Sequence, residues 1–321
     1  MNSIYTKLLA SGQLSNTGYH YGTYAYSGLF WKLLLAIDEL FTELAKEAYN
    51  IIEEQYPTIF PLTELNNINY FYKFPSFPII SFPLNKDDHK INQQISDDAK
   101  AMKIDDGYFK HHPHFFSDEK CFVYNPSTCY HTFLNRKNST PSKRLTVVTA
   151  VSQCARNERL DPANPMRLRN FTMRECIFIG DHEKVEAQAN AFFHKLVDEI
   201  IQLVDTVDLK YASDMFFGEG HKTIEDFQIE SKVKLEMTLP IPSETCNTDK
   251  IDLACMSRNL HNKFLCKSFG IKSDEFSVES ACVAVGLERL TYALLCNCGF
   301  EIEEWRECRL KDILLNKLTA N

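Results

Sequence analysis

Apolar side chains recur at helical spacing in two long segments of the chain. In the first, residues 29–50, the apolar positions are Phe30, Leu33, Leu34, Ile37, Leu40, Phe41 and Leu44. Ser27 precedes this segment and is a suitable N-cap. In the second, the apolar positions are Val185, Ala189, Phe192, Leu196, Ile200, Leu203 and Val207. Both patterns predict amphipathic helices that bury one face against a core.

Runs rich in β-branched and aromatic residues predict strands at residues 121–124, 145–151, 172–179, 232–239 and 253–257. A strand followed by a helix is predicted at 280–295. The runs 145–158 and 167–179 flank a polar loop with Pro162 and Pro165, which predicts an antiparallel hairpin with a long loop. This order of elements predicts an α+β fold, with an antiparallel sheet flanked by helices.

Other segments have weaker patterns. Residues 1–28 are rich in Gly, Ser and Tyr and are predicted to form turns with little regular structure. Residues 70–83 are aromatic and interrupted by prolines, which favours edge strands and extended segments over a helix. Residues 85–106 are polar, and a helix and a mobile connection both fit them.

Composition limits the classes of protein that the chain fits. Its 321 residues, 44% of them hydrophobic, suffice for a sizeable core, and the formal charge of −8 disfavours wholesale binding of nucleic acid. An odd count of 11 cysteines does not suit a secreted disulfide scaffold. We find no evident signal peptide and no apolar stretch long enough to span a bilayer, so we expect a reduced, cytoplasmic compartment.

Basic residues concentrate in one part of this acidic chain. Residues 136–174 contain nine Lys/Arg, against Glu158 and Asp161. That excess suits a polyanionic small ligand such as ATP, although a solvated basic loop has the same composition. Cys154, Glu175 and Cys282 lie in or beside the segments that indicate an ATP site. Two thiolates and one carboxylate fit a zinc site whose fourth position is free for substrate.

Two motifs resemble those of class II aminoacyl-tRNA synthetases, most of all the seryl enzymes. Arg156-x-Glu158 followed by Arg167-x-x-x-Phe171-x-x-x-Glu175 resembles motif 2, and Gly286-Leu287-Glu288-Arg289 resembles motif 3. The resemblance implies that Arg156 contacts the α-phosphate of ATP and Arg289 the γ-phosphate, both as catalytic residues. It also implies Glu158 at the adenine amino group, Phe171 stacked on adenine and Arg167 near the pyrophosphate.

More of the chain is similar to the amino acid:[carrier protein] ligases, shortened relatives of atypical zinc-dependent seryl-tRNA synthetases. The segments that carry this resemblance include Thr128-Cys129-Tyr130, Tyr211-Ala212-Ser213-Asp214 and Ser257-Arg258-Asn259. The resemblance implies zinc ligands at Cys154, Glu175 and Cys282. Asp214 is a candidate for a polar contact to the substrate amine or the metal shell, although a capped loop after the long helix has the same pattern. Ser257 is a candidate residue of the amino-acid pocket, although a polar residue on the face of the sheet fits equally. We expect Mg²⁺ to accompany ATP.

The same resemblance implies one class II synthetase-like catalytic domain over residues 1–321. Residues 1–120 would supply the N-terminal helix and a dimerisation region, with the segment around Phe74-Pro75 as the candidate contact. Residues 121–305 would supply the ATP and zinc core with motifs 2 and 3. Residues 1–130 contain one convincing helix and no sustained heptads, so we expect no N-terminal coiled-coil tRNA-binding arm. A homodimer is implied by the class.

We therefore expect a ligase that activates a small amino acid, glycine or alanine, as an aminoacyl-adenylate. Transfer to the phosphopantetheine thiol of a small carrier protein would follow, because thiolates attack acyl adenylates readily. Neither tRNA nor a membrane is an expected partner. The alternatives are a seryl-like enzyme acting on tRNA without the arm, and a non-catalytic synthetase paralogue.

Overall fold

A seven-stranded sheet organises the chain in the computed structural model, which describes residues 3–16, 22–117, 120–159, 161–214, 216, 220–245 and 249–320. Its strands, and those of two smaller sheets, are β1 (Leu14–Asn16), β2 (Tyr24–Tyr26), β3 (Ile52–Gln55), β4 (Ile59–Pro61), β5 (Ile80–Ser81), β6 (Phe122–Tyr124), β7 (Leu145–Ala155), β8 (Asn170–Asp181), β9 (Asp208–Tyr211), β10 (Lys234–Pro242), β11 (Lys250–Asn262) and β12 (Val278–Gly286). The large sheet has the order β3-β7-β8-β12-β11-β10-β9. Only β3 and β7 pair in parallel within it, so the predicted antiparallel sheet is confirmed.

The helices of the described residues differ widely in length. They are α1 (Ile4–Ala10), α2 (Gly28–Ala48), α3 (Leu62–Asn67), α4 (Tyr70–Lys73), α5 (His89–Lys100), α6 (Tyr108–His111), α7 (Cys129–Asn135), α8 (His182–Ile200), α9 (His221–Glu230), α10 (Phe264–Ser268), α11 (Leu287–Cys298) and α12 (Arg309–Thr319), with 3₁₀ turns at Pro113–Phe115 and Ile302–Glu304. The two long amphipathic helices predicted from the sequence are α2 and α8. Ser27 stands at the N-cap of α2, where its hydroxyl donates to the carbonyl of Gly12 at 2.8 Å.

The two faces of the large sheet bury different cores because side chains alternate along each strand. On one face, Phe178 and Val283 pack with Phe30 of α2 and Phe192 of α8. On the other face, Val148, Ile177 and Cys282 belong to a second core with Phe60 and Phe133. This second face also carries the side chains of the candidate site. Helices α2, α8 and α11 therefore pack against the face of the sheet opposite the candidate site.

Several local predictions need correction. Residues 1–28 contain α1, β1 and β2, so the expectation of little regular structure there was wrong for the residues described. Within residues 70–83, Tyr70–Lys73 is a helical turn and Ile80–Ser81 is a strand. Of the two options for residues 85–106, the helix is correct for His89–Lys100. Across the described part of the chain, no helix is both long enough and apolar enough for a membrane crossing.

Candidate functional site

A cavity of about 730 Å³ opens on the second face of the sheet. Its walls come from β8, β10, β11 and β12, from α7 and from the long loop between β7 and β8. It is lined by nine of the ten site residues predicted from the sequence, namely Arg156, Glu158, Arg167, Phe171, Glu175, Asp214, Ser257, Cys282 and Arg289. The tenth, Cys154, does not line it.

Strand register places the acidic and thiol groups together. Glu175 of β8 pairs with Ala284 of β12, and Cys282 lies two residues before Ala284 on the same face. Cys129 lies outside the sheet, in the first turn of α7. Its backbone amide donates to Glu175 Oε1 at 3.2 Å. The hydroxyl of Ser127 donates to the same oxygen at 3.1 Å. One oxygen of Glu175 is thus held in place by the chain leading into α7.

Three ligand atoms converge beside this carboxylate. Those of Cys129, His261 and Cys282 all lie within 4.8 Å of one another. Cys282 Sγ is 3.5 Å from His261 Nε2 and accepts a hydrogen bond from Asn259 Nδ2 at 3.6 Å. Glu175 Oε2 is buried and has no hydrogen-bond partner. A buried carboxylate oxygen without a partner is costly, and a bound cation would satisfy it.

The electrostatics of this cluster also favour a cation. Burial raises the pKa of Glu175, although the nearby Cys282 and Cys129 partly offset that effect. The neighbouring Cys129, together with burial and Glu175, raises the pKa of Cys282 well above that of a free thiol. Burial lowers the pKa of His261 to about 4, so its imidazole is neutral. Two thiols, a neutral imidazole and a carboxylate are a donor set that zinc prefers, and these residues fit that ion.

Cys154 lies apart from this cluster. Its Sγ is 3.7 Å from Thr128 Oγ1 and 3.8 Å from Ser152 Oγ, and burial raises its pKa to about 12. The structure therefore brings Cys129, rather than Cys154, to Glu175 and Cys282. Sequence reasoning did not assign Cys129 or His261 as ligands. The family resemblance includes the Thr128-Cys129-Tyr130 segment, but only the position of Cys129 in the first turn of α7 shows that its thiol enters the cavity.

The other half of the cavity carries the arginines. Arg156 Nε donates to the carbonyl of Pro126 at 2.8 Å, and its guanidinium carbon lies 5.3 Å from the ring centroid of Phe171. This cation–π contact holds both side chains at the cavity wall. Arg167 Nε donates to Glu158 Oε2 at 3.2 Å. Arg156, Glu158, Arg167 and Phe171 thus form two contacting pairs that line the same cavity.

Arg289 reaches the same region from the start of α11. Its Nε donates to the carbonyl of Met166 at 3.2 Å and its Nη1 to that of Ala254 at 3.5 Å. Burial lowers its pKa, while the charge of Glu158 acts in the opposite direction. A guanidinium always remains charged in proteins, so this desolvated cation is suited to hold a phosphate.

Asp214 and Ser257 lie at the wall formed by β10 and β11. Lys234 Nζ is 2.8 Å from Asp214 Oδ1 and 3.0 Å from Glu236 Oε1. Although burial acts to raise it, the ammonium of Lys234 leaves the pKa of Asp214 below its usual value. Ser257 Oγ accepts from Asn259 Nδ2 at 3.0 Å. Lys234 was not predicted, since the sequence alone does not show that it joins two carboxylates at this wall.

Comparison with known proteins gives this arrangement a context. No family model matches the chain. It is 25% identical over 303 residues to amino acid--[acyl-carrier-protein] ligase 1 of Bradyrhizobium diazoefficiens, covering 91% of this chain and 85% of that protein. Ligase 2 of the same organism is 28% identical over 57% of this chain and 53% of its own length. The type-2 serine--tRNA ligase of Methanococcus maripaludis strain S2 is 24% identical over 91% of this chain, which spans 56% of that enzyme.

Solved structures define the fold. The M. kandleri seryl-tRNA synthetase, solved with A. aeolicus tRNASec, matches with a TM-score of 0.80 at 12% identity, over 98% of this chain and 60% of that one. The chain has the fold of the part of that synthetase that it covers. The cytoplasmic serine-tRNA ligase of Naegleria fowleri, solved with AMP, matches with a TM-score of 0.64 at 8% identity, over 97% of this chain and 58% of that one. The class II resemblance and the predicted kinship to both kinds of ligase are confirmed.

Proposed function

We propose that this class II synthetase-like chain activates a small amino acid, glycine or alanine, with ATP and transfers it to the phosphopantetheine thiol of a carrier protein. The observation that carries this proposal is that one cavity contains both groups of candidate residues. It joins the arginines and Phe171 to the cluster of Cys129, Glu175, His261 and Cys282. The names of the Bradyrhizobium relatives support the same reaction.

In this proposal the arginines bind the triphosphate of ATP, which enters as its Mg²⁺ complex. Arg156 contacts the α-phosphate and Arg289 the γ-phosphate, while Arg167 lies near the departing pyrophosphate. Phe171 stacks on adenine and Glu158 accepts from its amino group. The carboxylate of the amino acid attacks the α-phosphorus, the bond to pyrophosphate breaks, and the guanidinium groups stabilise the charge that develops.

We assign the metal-binding residues as Cys129, Glu175 and Cys282. A zinc ion held there would bind and orient the α-amino group of the substrate. Ser257, next to this cluster through Asn259, and Asp214, paired with Lys234, would then face the rest of the amino acid. This assignment keeps two of the three ligands predicted from the sequence and replaces Cys154 by Cys129, because only Cys129 lines the cavity.

The second half-reaction requires a thiol that reaches the acyl carbon. The phosphopantetheine thiolate would attack the adenylate, form a thioester and release AMP. We also propose a homodimer that works in the cytoplasm.

ATP–pyrophosphate exchange tests the first half-reaction. We expect exchange with glycine or alanine in a panel of amino acids, and its loss when zinc is chelated. A second assay offers the activated amino acid to a phosphopantetheinylated carrier protein and, separately, to total tRNA. Labelling of the carrier alone is expected. Absence of exchange with every amino acid would overturn the proposal, and labelling of tRNA alone would replace the acceptor.

A further inference from the structure

A histidine that no motif accounts for stands beside the thiols. His261 lies near the end of β11, where the pairing with β12 shifts register between Leu260 and Asn262. Leu260 is opposite Ala281 and Asn262 is opposite Ser280, so His261 is the extra residue of a β-bulge. Bulges change the direction of a side chain at a strand end and are frequent next to active sites.

We propose that His261 is a fourth protein ligand of the zinc ion assigned to Cys129, Glu175 and Cys282, and that it holds the coordination position later taken by the substrate amino group. This inference rests on the proposed function for its second half only. Its first half concerns the metal site and does not depend on which reaction the protein catalyses.

Contacts at both ring nitrogens fix the orientation of the His261 side chain. Nδ1 is 3.3 Å from the hydroxyl oxygen of Ser280, and Nε2 is 3.5 Å from Cys282 Sγ. The ring also makes an edge contact with Phe133, at 5.9 Å between centroids. A proton on Nδ1 that is donated to Ser280 leaves the lone pair of Nε2 directed at the thiols. Metal-binding histidines are oriented in this way by a hydrogen bond to the other ring nitrogen.

Among the four proposed zinc ligands, His261 is the one suited to dissociate from the ion when the substrate amino group binds. Glu175 is fully buried and its Oε1 is held by the Cys129 amide and the Ser127 hydroxyl. Cys129 and Cys282 are also buried and bind as anions. His261 is only partly buried and lines the cavity. Exchange of a neutral imidazole for a neutral amine leaves the total charge of the ligands unchanged.

Four protein ligands close a tetrahedral zinc site, whereas three leave it open. With His261 bound, the ion would be shielded from water and other small ligands when no substrate is present. An amino acid would have to compete with the imidazole. Removal of His261 should therefore weaken the binding of the metal and, at the same time, strengthen the binding of the amine.

Cobalt substitution of the full chain tests the ligand set directly, because the visible absorption of Co²⁺ depends on its ligands. The variants are His261→Gln and, as a matched control, His194→Gln, which changes an exposed histidine on α8. We expect the spectrum of His261→Gln to differ from that of the wild type, and that of His194→Gln to match it. Competition with a chromophoric chelator should show zinc affinity reduced more than about tenfold in His261→Gln.

A third variant, His261→Cys, keeps the proposal testable if His261→Gln fails to fold. A third thiolate on the ion should add intensity to the sulfur-to-cobalt charge-transfer bands, which a residue outside the ligand set cannot do. If His261 only hydrogen-bonds to Cys282, neither substitution at 261 will change the cobalt spectrum as described. That result overturns the proposal.

A non-hydrolysable glycyl-adenylate analogue tests the displacement. It should change the cobalt spectrum of the wild type and bring the spectra of wild type and His261→Gln together. Spectra that still differ with the analogue bound would show that His261 remains a ligand of the ion. That result would overturn the proposed displacement of His261 by the substrate amino group. Absence of ATP–pyrophosphate exchange together with a His261-dependent spectrum would reject the proposed function and leave the ligand assignment standing.

Discussion

Glu288, at the start of α11, holds the backbone of Thr172 in β8. Both of its carboxylate oxygens lie 2.8 Å from the Thr172 amide nitrogen, and Oε1 also accepts from the Thr172 hydroxyl at 2.8 Å. Thr172 directly follows Phe171, and Arg289 directly follows Glu288. One buried carboxylate thus fixes the distance between the ring proposed to stack on adenine and the arginine proposed to bind the γ-phosphate.

The burial of Glu288 makes stability depend on pH, while its hydrogen bonds from Thr172 act in the opposite direction. Burial raises the pKa of Glu288 from 4.5 to about 7, so the folded chain binds the proton more tightly than the unfolded chain. The contribution of Glu288 to the free energy of unfolding is then full below about pH 4.5 and falls as pH rises to about 7, by on the order of 3 kcal/mol. Urea denaturation across this range should show a shallower decline for Glu288→Gln than for the wild type. The exposed Glu301→Gln serves as a control, and equal slopes in all three proteins would contradict the prediction.

Arg289→Ala should abolish most nucleotide activation while leaving the metal in place. The side chain is held by the carbonyls of Met166 and Ala254, away from the cluster of thiols. Loss of a charged group that stabilises the transition state costs about 10²- to 10³-fold in rate. ATP–pyrophosphate exchange and zinc content should be measured together. Arg144→Ala, which removes an exposed pair with Asp181, is the matched control and should keep full exchange.

Cys129→Ala and Cys154→Ala should differ in zinc content. Cys129 is one of the clustered residues that could hold a metal ion, whereas Cys154 is surrounded by Ser152 and Thr128. We expect purified Cys129→Ala to lack bound zinc and Cys154→Ala to retain it, as measured by elemental analysis after dialysis. The opposite result would restore the ligand set predicted from the sequence.

Phe171→Ala should weaken ATP binding without removing the metal. The ring borders the cavity and one of its faces contacts Arg156. Stacking on an aromatic ring contributes about 0.5–1.5 kcal/mol beyond area burial, so the KM for ATP should rise by about two- to tenfold. Phe171→Tyr keeps the stacking surface and should preserve the KM. A similar rise in both variants would argue against stacking.

Asp38→Ala should destabilise the fold strongly. Arg174 of β8 is 4% exposed, and its Nε and Nη2 donate to the two carboxylate oxygens of Asp38 on α2 at 2.6 Å and 2.9 Å. Removal of the carboxylate leaves a buried guanidinium unpaired, at a cost of about 3–5 kcal/mol. On the same helix, Glu39→Ala removes a surface pair with Lys317 and should change the free energy of unfolding by less than about 1 kcal/mol. Urea denaturation compares the two variants, and equal effects would refute the prediction.

Much of the architecture follows from local patterns. The period of the apolar residues predicted α2 and α8, and two β-rich runs around a polar loop predicted the β7–β8 hairpin. The resemblance to motifs 2 and 3 then led to the arginines and Phe171, of which Arg156, Arg167 and Phe171 belong to this hairpin and its loop, and Arg289 to the start of α11. Local sequence is sufficient where the contacts are local. It failed for α1, where Ile4 and Leu8 form a short helix within a segment rich in glycine and serine.

Prediction of the candidate metal cluster required information that no local pattern contains. Cys154 and Cys129 are both buried cysteines, and only the path of the chain into α7 determines which one faces Glu175. His261 reaches Cys282 because of a register shift in β11, and a register shift is set by the pairing of two strands.

The origin of the cluster in four separate parts of the chain has a kinetic consequence. Cys129, Glu175, His261 and Cys282 meet only after β8, β12 and β11 have paired and α7 has docked. Such distant pairings form late in folding, so an ion bound there should barely accelerate folding and should mainly slow unfolding. The lifetime of the native state would then follow the concentration of free zinc, and depletion of zinc would shorten it.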